Sequence, residues 1–524
     1  MSGRGIFLVI LFIFLSVTGC SEKPKDQLVA AIGGDSREGY DPLTGWGRYG
    51  NPLFHSTLLK RDNDLKPVKD LATDYSLSKN KLIWNIRIRR DAKFSDSKPL
   101  TASDVVFTFN KAAQSGGKVD IASMDKAVKI DDYNLEIRLK KPDITFIEHL
   151  VTLGIVPEHL YNDKYGRNPI GSGMYRLVSL QEGQQMIVEE NPYYYGKKPE
   201  IKRVVFLFMS EDAAFAAAKS EKVDIIAVPQ SLAIQKINGM SLHPVRSVDN
   251  RGIMLPFVPD TGKKTEKGYP IGNNVTSVLS IRKALNLAVD RNLLVKGILE
   301  GYGTPAYGVV DGLPWDEASG RIESGKIEEA KKILAQDGWV DSDNDGILER
   351  KGIKAEFRLV YNAADSIRQN LAIAVSETAK KIGIRINIEG KTWEEIDKVD
   401  HSVAVLFGFG SHNPLEMYDL FYSREAGREY NNCGYYSNRT VDKYFDMAKN
   451  SSSFEESLKY WKLAQWDGKT GFSTKGDAPW VWLVNLTHTY FVSDKLDIGK
   501  SRMEPHGHGW PITANIDEWR WIKK

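Results

Sequence analysis

The stretch AEFRLVYNAADSIRQNLAIAVSETAKKIGIRINIEGKTW, residues 355–393, decides the fold because its hydrophobic period changes twice. Alternating apolar residues give a strand, a polar loop follows, the spacing becomes that of an amphipathic helix, and a second alternating run closes the segment. Two strands joined by such a helix form a parallel βαβ unit. A second unit lies nearer the N-terminus. In KLIWNIRIRRDAKFSDSKPL, Leu82, Trp84, Ile86 and Ile88 share one face of a half-buried strand. TASDVVFTFNKAAQ opens with a Thr/Ser/Asp cap and continues at helical spacing, and NLEIRLKKP supplies another strand. Between the two units, SIRKALNLAVDRNLLVKGILEGYGTPA is expected to be helical from Ile281 to about Glu300 and to stop at glycines and a proline. These patterns describe an α/β protein of two lobes, and no repeat of solenoid length runs through it.

The N-terminus addresses the compartment. One arginine, the apolar run IFLVILFIFL (Ile6 to Leu15) and the small residues of SVTGC have the layout of a secretory signal peptide, residues 1–19. The run is about half of the ~20 residues that span a bilayer, which disfavours a permanent transmembrane helix. VTGC resembles the lipobox of bacterial lipoproteins, with Cys20 as the lipidated first residue and residues 20–27 as a polar tether. The other cysteine, Cys433, has no internal partner, so stability must come from a core and not from disulfides. A net charge of +3 without a basic tract gives no reason to expect nucleic acid as a partner. Twelve tryptophans and twenty-two tyrosines suit an exported binder of small polar ligands, although ordinary core packing accounts for any single ring.

Two histidines are spaced by one glycine in EPHGHGW, residues 504–510. In an extended segment His506 and His508 point to the same side and can reach one ion, while the alternative is a solvated turn held by the glycines. DSDNDGILER places Asp341, Asp343, Asp345 and Gly346 as in the first half of a calcium loop, but position twelve is Gly352, which favours a tight acidic turn. HExxH, GxSxG and Walker patterns do not occur, so an exported hydrolase has no motif behind it and the chain is expected not to be an enzyme.

The blocks WNIRIRRDAKFSDSKPLTASDVVFTF, PIGSGMYRL, NPYYYGKKPEIKRVVF, VDII and IRKALNLAVDRNLLVKGILEGYGTPA together resemble the dipeptide, oligopeptide and nickel solute-binding proteins of ABC importers, from about Leu28 to Trp521. Ser97 departs from the glycine usual in that family's turn, and EKVDII from its GEVDI. The resemblance implies a two-lobed clam: lobe I from residues 28–250 plus 485–524, including an extra subdomain at about 55–180, and lobe II from 251–484. It also implies an ABC permease as partner, a monomer, a lipid anchor to a bacterial membrane, and no chemistry on the ligand. GYDPLTGWGRYGNPLFHSTLLKRD, VPEHLYNDKYGRNPIGSG, GFGSHNPLEMYDLFYS and PHGHGWPITANIDEWRW look like the nickel-binding branch. That branch takes Ni²⁺ already chelated, for example by histidine, and adds imidazoles and an arginine for the chelator's carboxylate. A di- or oligopeptide ligand is the alternative within the same architecture.

On that basis His506 is the favoured metal ligand, with His508 beside it and His55 of NPLFHSTLL as a further imidazole; a satisfied, partly buried histidine is the competing reading of His55. Arg368 opens the helix of the βαβ unit, where side chains face a crevice, and is the expected carboxylate anchor. Trp46, Tyr49 and Tyr418 are expected to wall the pocket and Asn413 to hydrogen-bond the ligand, with core packing as the alternative for the rings. His412 is read equally as a site contact or a loop cap, and His488, in an alternating run, as a sheet residue.

Overall fold

The computed structural model describes residues 27–48, 53–114, 119, 121–428, 430–507 and 510–522. Cys20, Tyr49 and His508, together with the proposed signal peptide, lie outside the described residues. Among those described, no helix is long and apolar enough to cross a membrane.

The βαβ unit forms as its periodicity requires. Strand Glu356–Asn362 leads into helix Ser366–Lys380, which returns to strand Arg385–Lys391, parallel to the first from Glu356↔Arg385 to Asn362↔Lys391. Asp365 caps the helix by accepting from the Arg368 amide at 3.0 Å. The N-terminal unit is also present. Trp84, Ile86 and Ile88 are buried on strand Ile83–Ile88, the central region of a four-stranded antiparallel sheet that holds its own core with Phe94, Phe109 and Phe146. Helix Ala102–Ala112 starts with a capping box between Thr101 and Asp104. In the preceding turn Ser97 takes φ of 77°, in the left-handed region where glycine has no Cβ penalty.

One expectation is corrected. The run from Ile281 to Glu300 is two helices, Leu279–Ala288 and Arg291–Ile298. Val289 is extended, and Asp290 starts the second helix by accepting from the amides of Asn292 and Leu293. An N-capping aspartate satisfies amide donors that a continuous helix would bond internally, and the apolar spacing does not register the break.

An eleven-stranded sheet joins the rest. From one edge it runs through Arg385–Lys391, Glu356–Asn362 and Ala404–Phe407 to two long strands, Met240–Met254 and Trp480–Ser493. It continues through Ile225–Val228, Gln27–Ala31 and Arg203–Leu207 to the hairpin Gln185–Glu190 and Tyr175–Gln181, and the eleventh strand, Gly303–Pro305, pairs off this path with Trp480–Ser493. The two long antiparallel strands are thus the crossing pair, and the expected lobe boundaries at 250/251 and 484/485 fall inside them. Apolar cores collect on either side. Leu28, Phe206, Trp510 and Trp519 pack together at one end, and Ile281, Leu371 and Leu406 at the other. Burying each such large side chain stabilises by about 1.5–3 kcal/mol.

Candidate functional site: a crossing-strand charge cluster beside a cavity

The two crossing strands keep register from Met240↔Ser493 to Arg246↔Thr487, then shift before Asn250↔Asn485. The residues displaced by that irregularity are Ser247, Val248 and Asp249. Instead of pairing with the neighbouring strand, Val248 donates its amide to the Glu504 carbonyl at 2.9 Å, and Glu504 donates its own to Arg246 at 2.9 Å. The C-terminal segment is thereby stitched onto the crossing point. Its next contact is with the other lobe's loop: the His506 amide donates to the Gly410 carbonyl at 2.7 Å. Gly410 has φ of 147°, and a Cβ there would lie 2.4 Å from the Val248 carbonyl oxygen, so this close approach requires glycine.

Asp249 is buried at the centre of the resulting cluster. Its carboxylate meets His506 Nδ1 at 2.5 Å, an Arg251 guanidinium nitrogen at 2.5 Å and His488 Nε2 at 3.2 Å. His488 Nδ1 lies 2.6 Å from Glu504, which also accepts from the Tyr490 hydroxyl at 2.8 Å. Burial opposes ionisation of Asp249, but the Arg251 charge and the two imidazoles outweigh it and hold the carboxyl well below its usual range. Burial likewise opposes charge on His488; the hydrogen bonds and charges of Asp249 and Glu504 win, and its pKa stands at about 9.

Arg368 is nearly buried beside this cluster, paired with Asp365 and lying 5.3 Å over the Trp393 ring. It converges with Arg251: a Cβ at Gly408 would stand 2.6 Å from one guanidinium and 2.9 Å from the other. The Nε atoms of both arginines are buried without a hydrogen-bond partner among the described residues. Burial first, and the Arg251 charge second, push Arg368 down to about 10, which leaves it charged at neutral pH. Arg251 was not singled out in the sequence, where it follows Asp249 and Asn250 in VDNRGIML with no motif to mark it.

A cavity of about 400 Å³ opens next to the cluster, lined among others by His55, Arg61, His412, Arg502, Glu504 and Pro505. Tyr165 donates its hydroxyl proton to the Ile170 carbonyl at 2.7 Å, so His55 Nε2, 2.7 Å from the same oxygen, is a donor. Burial first, and the Arg61 charge second, push His412 down to about 3, so it is neutral; its Nε2 has no hydrogen-bond partner among the described residues.

The remaining expected residues do other work. Trp46 is buried in the lobe I core, its ring edge-on to Tyr40 at 4.7 Å and Trp510 at 5.4 Å. Tyr418 stacks on Tyr422 at 4.3 Å beneath Lys449. Asn413 accepts from the Leu415 amide at 2.9 Å, an Asx turn that leads into helix Leu415–Phe421. The acidic turn brings Asp341, Asp343, Asp345 and Glu349 together, exposed and with Lys354 2.9 and 2.6 Å from Asp343 and Asp345.

Two α/β halves joined by a pair of crossing strands, with polar side chains from both converging beside a cavity, define an extracytoplasmic solute-binding protein. The chain belongs to the bacterial extracellular solute-binding proteins, family 5, whose profile matches residues 66–470. It is 31% identical over 476 residues to Protein XP55 of Streptomyces lividans, covering 87% of this chain and 83% of that one. It is 26% identical to the oligopeptide-binding protein AppA of Bacillus subtilis, covering 99% and 98% of the two chains. In fold it matches the crystal structure of NikZ from Campylobacter jejuni in complex with Ni(L-His), with TM-score 0.78, 24% identity, and coverage of 95% of this chain and 100% of that one. It is the solute-binding component of an ABC importer and not an enzyme.

Proposed function

We propose that this protein captures nickel as a chelate with a small carboxylate-bearing molecule such as histidine. The observation that carries the reading is the contact of Asp249 with His506 Nδ1 at 2.5 Å. An imidazole that gives its Nδ1 proton to a buried carboxylate is oriented with its lone pair on Nε2, the arrangement by which proteins present metal-ligating histidines. Imidazole suits Ni²⁺, and neutral His412 brings a further imidazole to the cavity wall, where His55 also stands. Arg251 and Arg368 suit the chelator's carboxylate through paired N–H donors. A cavity of about 400 Å³ falls near the small end of the ~300–1,000 Å³ typical of small-ligand sites. NikZ, described in complex with Ni(L-His), supports the reading. AppA, an oligopeptide-binding protein, supports a second one in which the same arginines take the C-terminal carboxylate of a short peptide.

Calorimetric titration of the stripped protein with nickel–histidine distinguishes them. His506→Ala removes a metal bond and should weaken binding strongly; Arg368→Ala should cost about 1.5–3 kcal/mol, and only for carboxylate-bearing chelates. Wild-type affinity in both His506→Ala and His412→Ala, with peptides co-purifying, would establish the peptide reading instead. Delivery is to an ABC permease from a chain anchored at Cys20, and Cys20→Ala should release the protein from the membrane fraction.

A further inference from the structure

We infer that lobe II holds a second, buried metal site for a borderline divalent ion such as zinc, formed by Asp400, His401 and Cys433. One donor atom from each lies within 4.8 Å of the others. The three residues are 0%, 6% and 3% exposed, so this is an interior cluster and not a chance meeting of surface groups. Asp400 is the observation that asks for a ligand. Both its carboxylate oxygens are buried, and the groups that face them among the described residues are the Cys433 thiol and His401 Nδ1, the latter at 3.3 Å, weak compensation for an ionised group in the interior.

A divalent ion would supply the counter-charge that this buried carboxylate lacks. It takes the carboxylate oxygen and the sulfur as anions, and the proton of the S–H bond leaves to solvent as the metal–sulfur bond forms. Donors of N, O and S type match zinc and its spectroscopic surrogate cobalt. Tetrahedral donors stand about 3.3–3.8 Å apart when each is ~2.0–2.3 Å from the ion, so small side-chain rotations close the present set. His401 lies against the cluster: its Nδ1, 3.3 Å from Asp400, donates its proton to the Cys433 carbonyl at 3.1 Å, so Nε2 is the nitrogen that would ligate, and the Tyr435 ring packs edge-on against it at 5.4 Å. The site is separate from the cleft. Asp400 and His401 precede strand Ala404–Phe407, whereas Gly408, where the two arginines converge, follows it. The ion would pin the strand's entry to the loop carrying Cys433, and so stiffen lobe II independently of what the cleft binds.

The test uses the chain from residue 20 onward with Cys20→Ser, which leaves Cys433 its sole thiol, refolded from guanidinium with Co²⁺ and dialysed. One bound cobalt showing a near-ultraviolet thiolate-to-cobalt charge-transfer band is expected; cleft histidines cannot produce that band. Cys433→Ser should abolish it, and Asp400→Asn and His401→Gln should each lower cobalt affinity beyond the ~10–100-fold typical of outer partners. No bound cobalt, bound cobalt without the band, or a band of unchanged affinity in Asp400→Asn overturns the proposal. If Cys433→Ser does not fold, zinc-edge X-ray absorption of the wild-type chain decides: one sulfur in the first shell supports the site, and a shell of nitrogen and oxygen alone overturns it.

Discussion

His488 lies on the crossing strand Trp480–Ser493 and His412 in the cavity wall, and the protein drives the same side chain in opposite directions. His488 lies in the crossing-strand cluster between two carboxylates and is held protonated, with a pKa of about 9. His412 sits in the cavity wall facing Arg61 and is held neutral, with a pKa of about 3. Both are disfavoured as cations by burial; the sign of the neighbouring charge decides the outcome. A histidine near a binding site is therefore not automatically a metal ligand. In the cluster the imidazole of His488 serves as a cation that neutralises Asp249 and Glu504, while in the cavity the neutral ring keeps a lone pair available well into the acid range.

The strongest way to break this contrast is to remove the carboxylate that creates it. Asp249→Ala leaves Arg251 and His488 without their common partner, and should lower unfolding free energy by about 3–5 kcal/mol, as loss of one member of a buried ion cluster does. Urea titration measures it, and an unchanged midpoint would show that the cluster is not a structural anchor.

The next effect is on pH dependence. The folded pKa of His488 is raised above its unfolded value, so its contribution is fully present below pH ~6.5 and is lost as pH rises through about 9; the amount is on the order of 3 kcal/mol. The folded pKa of His412 is depressed, so its contribution is present above pH ~6.5 and is lost as pH falls toward about 3. His488→Gln should flatten the alkaline limb of the stability–pH curve and His412→Gln the acid limb. Thermal unfolding across pH 4–10 reads both, and a variant that flattens the opposite limb would reverse the assignment.

The smallest effect separates His412 from its chain neighbour. Asn413 was expected to bond the ligand, yet its side chain accepts from the Leu415 amide at the start of a helix. Asn413→Ala should cost about 1 kcal/mol of stability with nickel–histidine affinity unchanged, whereas a ligand contact would show its loss in affinity first.

Much of the fold was legible because it rests on local period. The βαβ unit at 355–393 and the strand at Trp84, Ile86 and Ile88 formed as their spacing required. The break at Val289–Asp290 was hidden because apolar spacing carries across a cap without interruption. The candidate site was legible only in part. His506 reached the crossing-strand cluster and Arg368 lies beside it, while Trp46 went into the core with Tyr40 and Trp510. An aromatic ring beside a glycine-rich loop has the same sequence appearance whether it faces a ligand or a core, since burial depends on what the rest of the chain places above it.

By itself the sequence determined the α/β class, the strands and helices of the two units, and the residue types available for metal and carboxylate binding. Each of these follows from the period of apolar residues or from side-chain chemistry, which are properties of a few neighbouring positions. Only the tertiary structure decided which of those residues act together. Asp249 meets His488 across 239 positions of chain and His506 across 257, through an irregularity in strand register that no local pattern announces. The charge each histidine carries was settled there too, because an imidazole's protonation depends on the sign of the charges within a few ångströms of it, and those neighbours are assembled only when the chain folds.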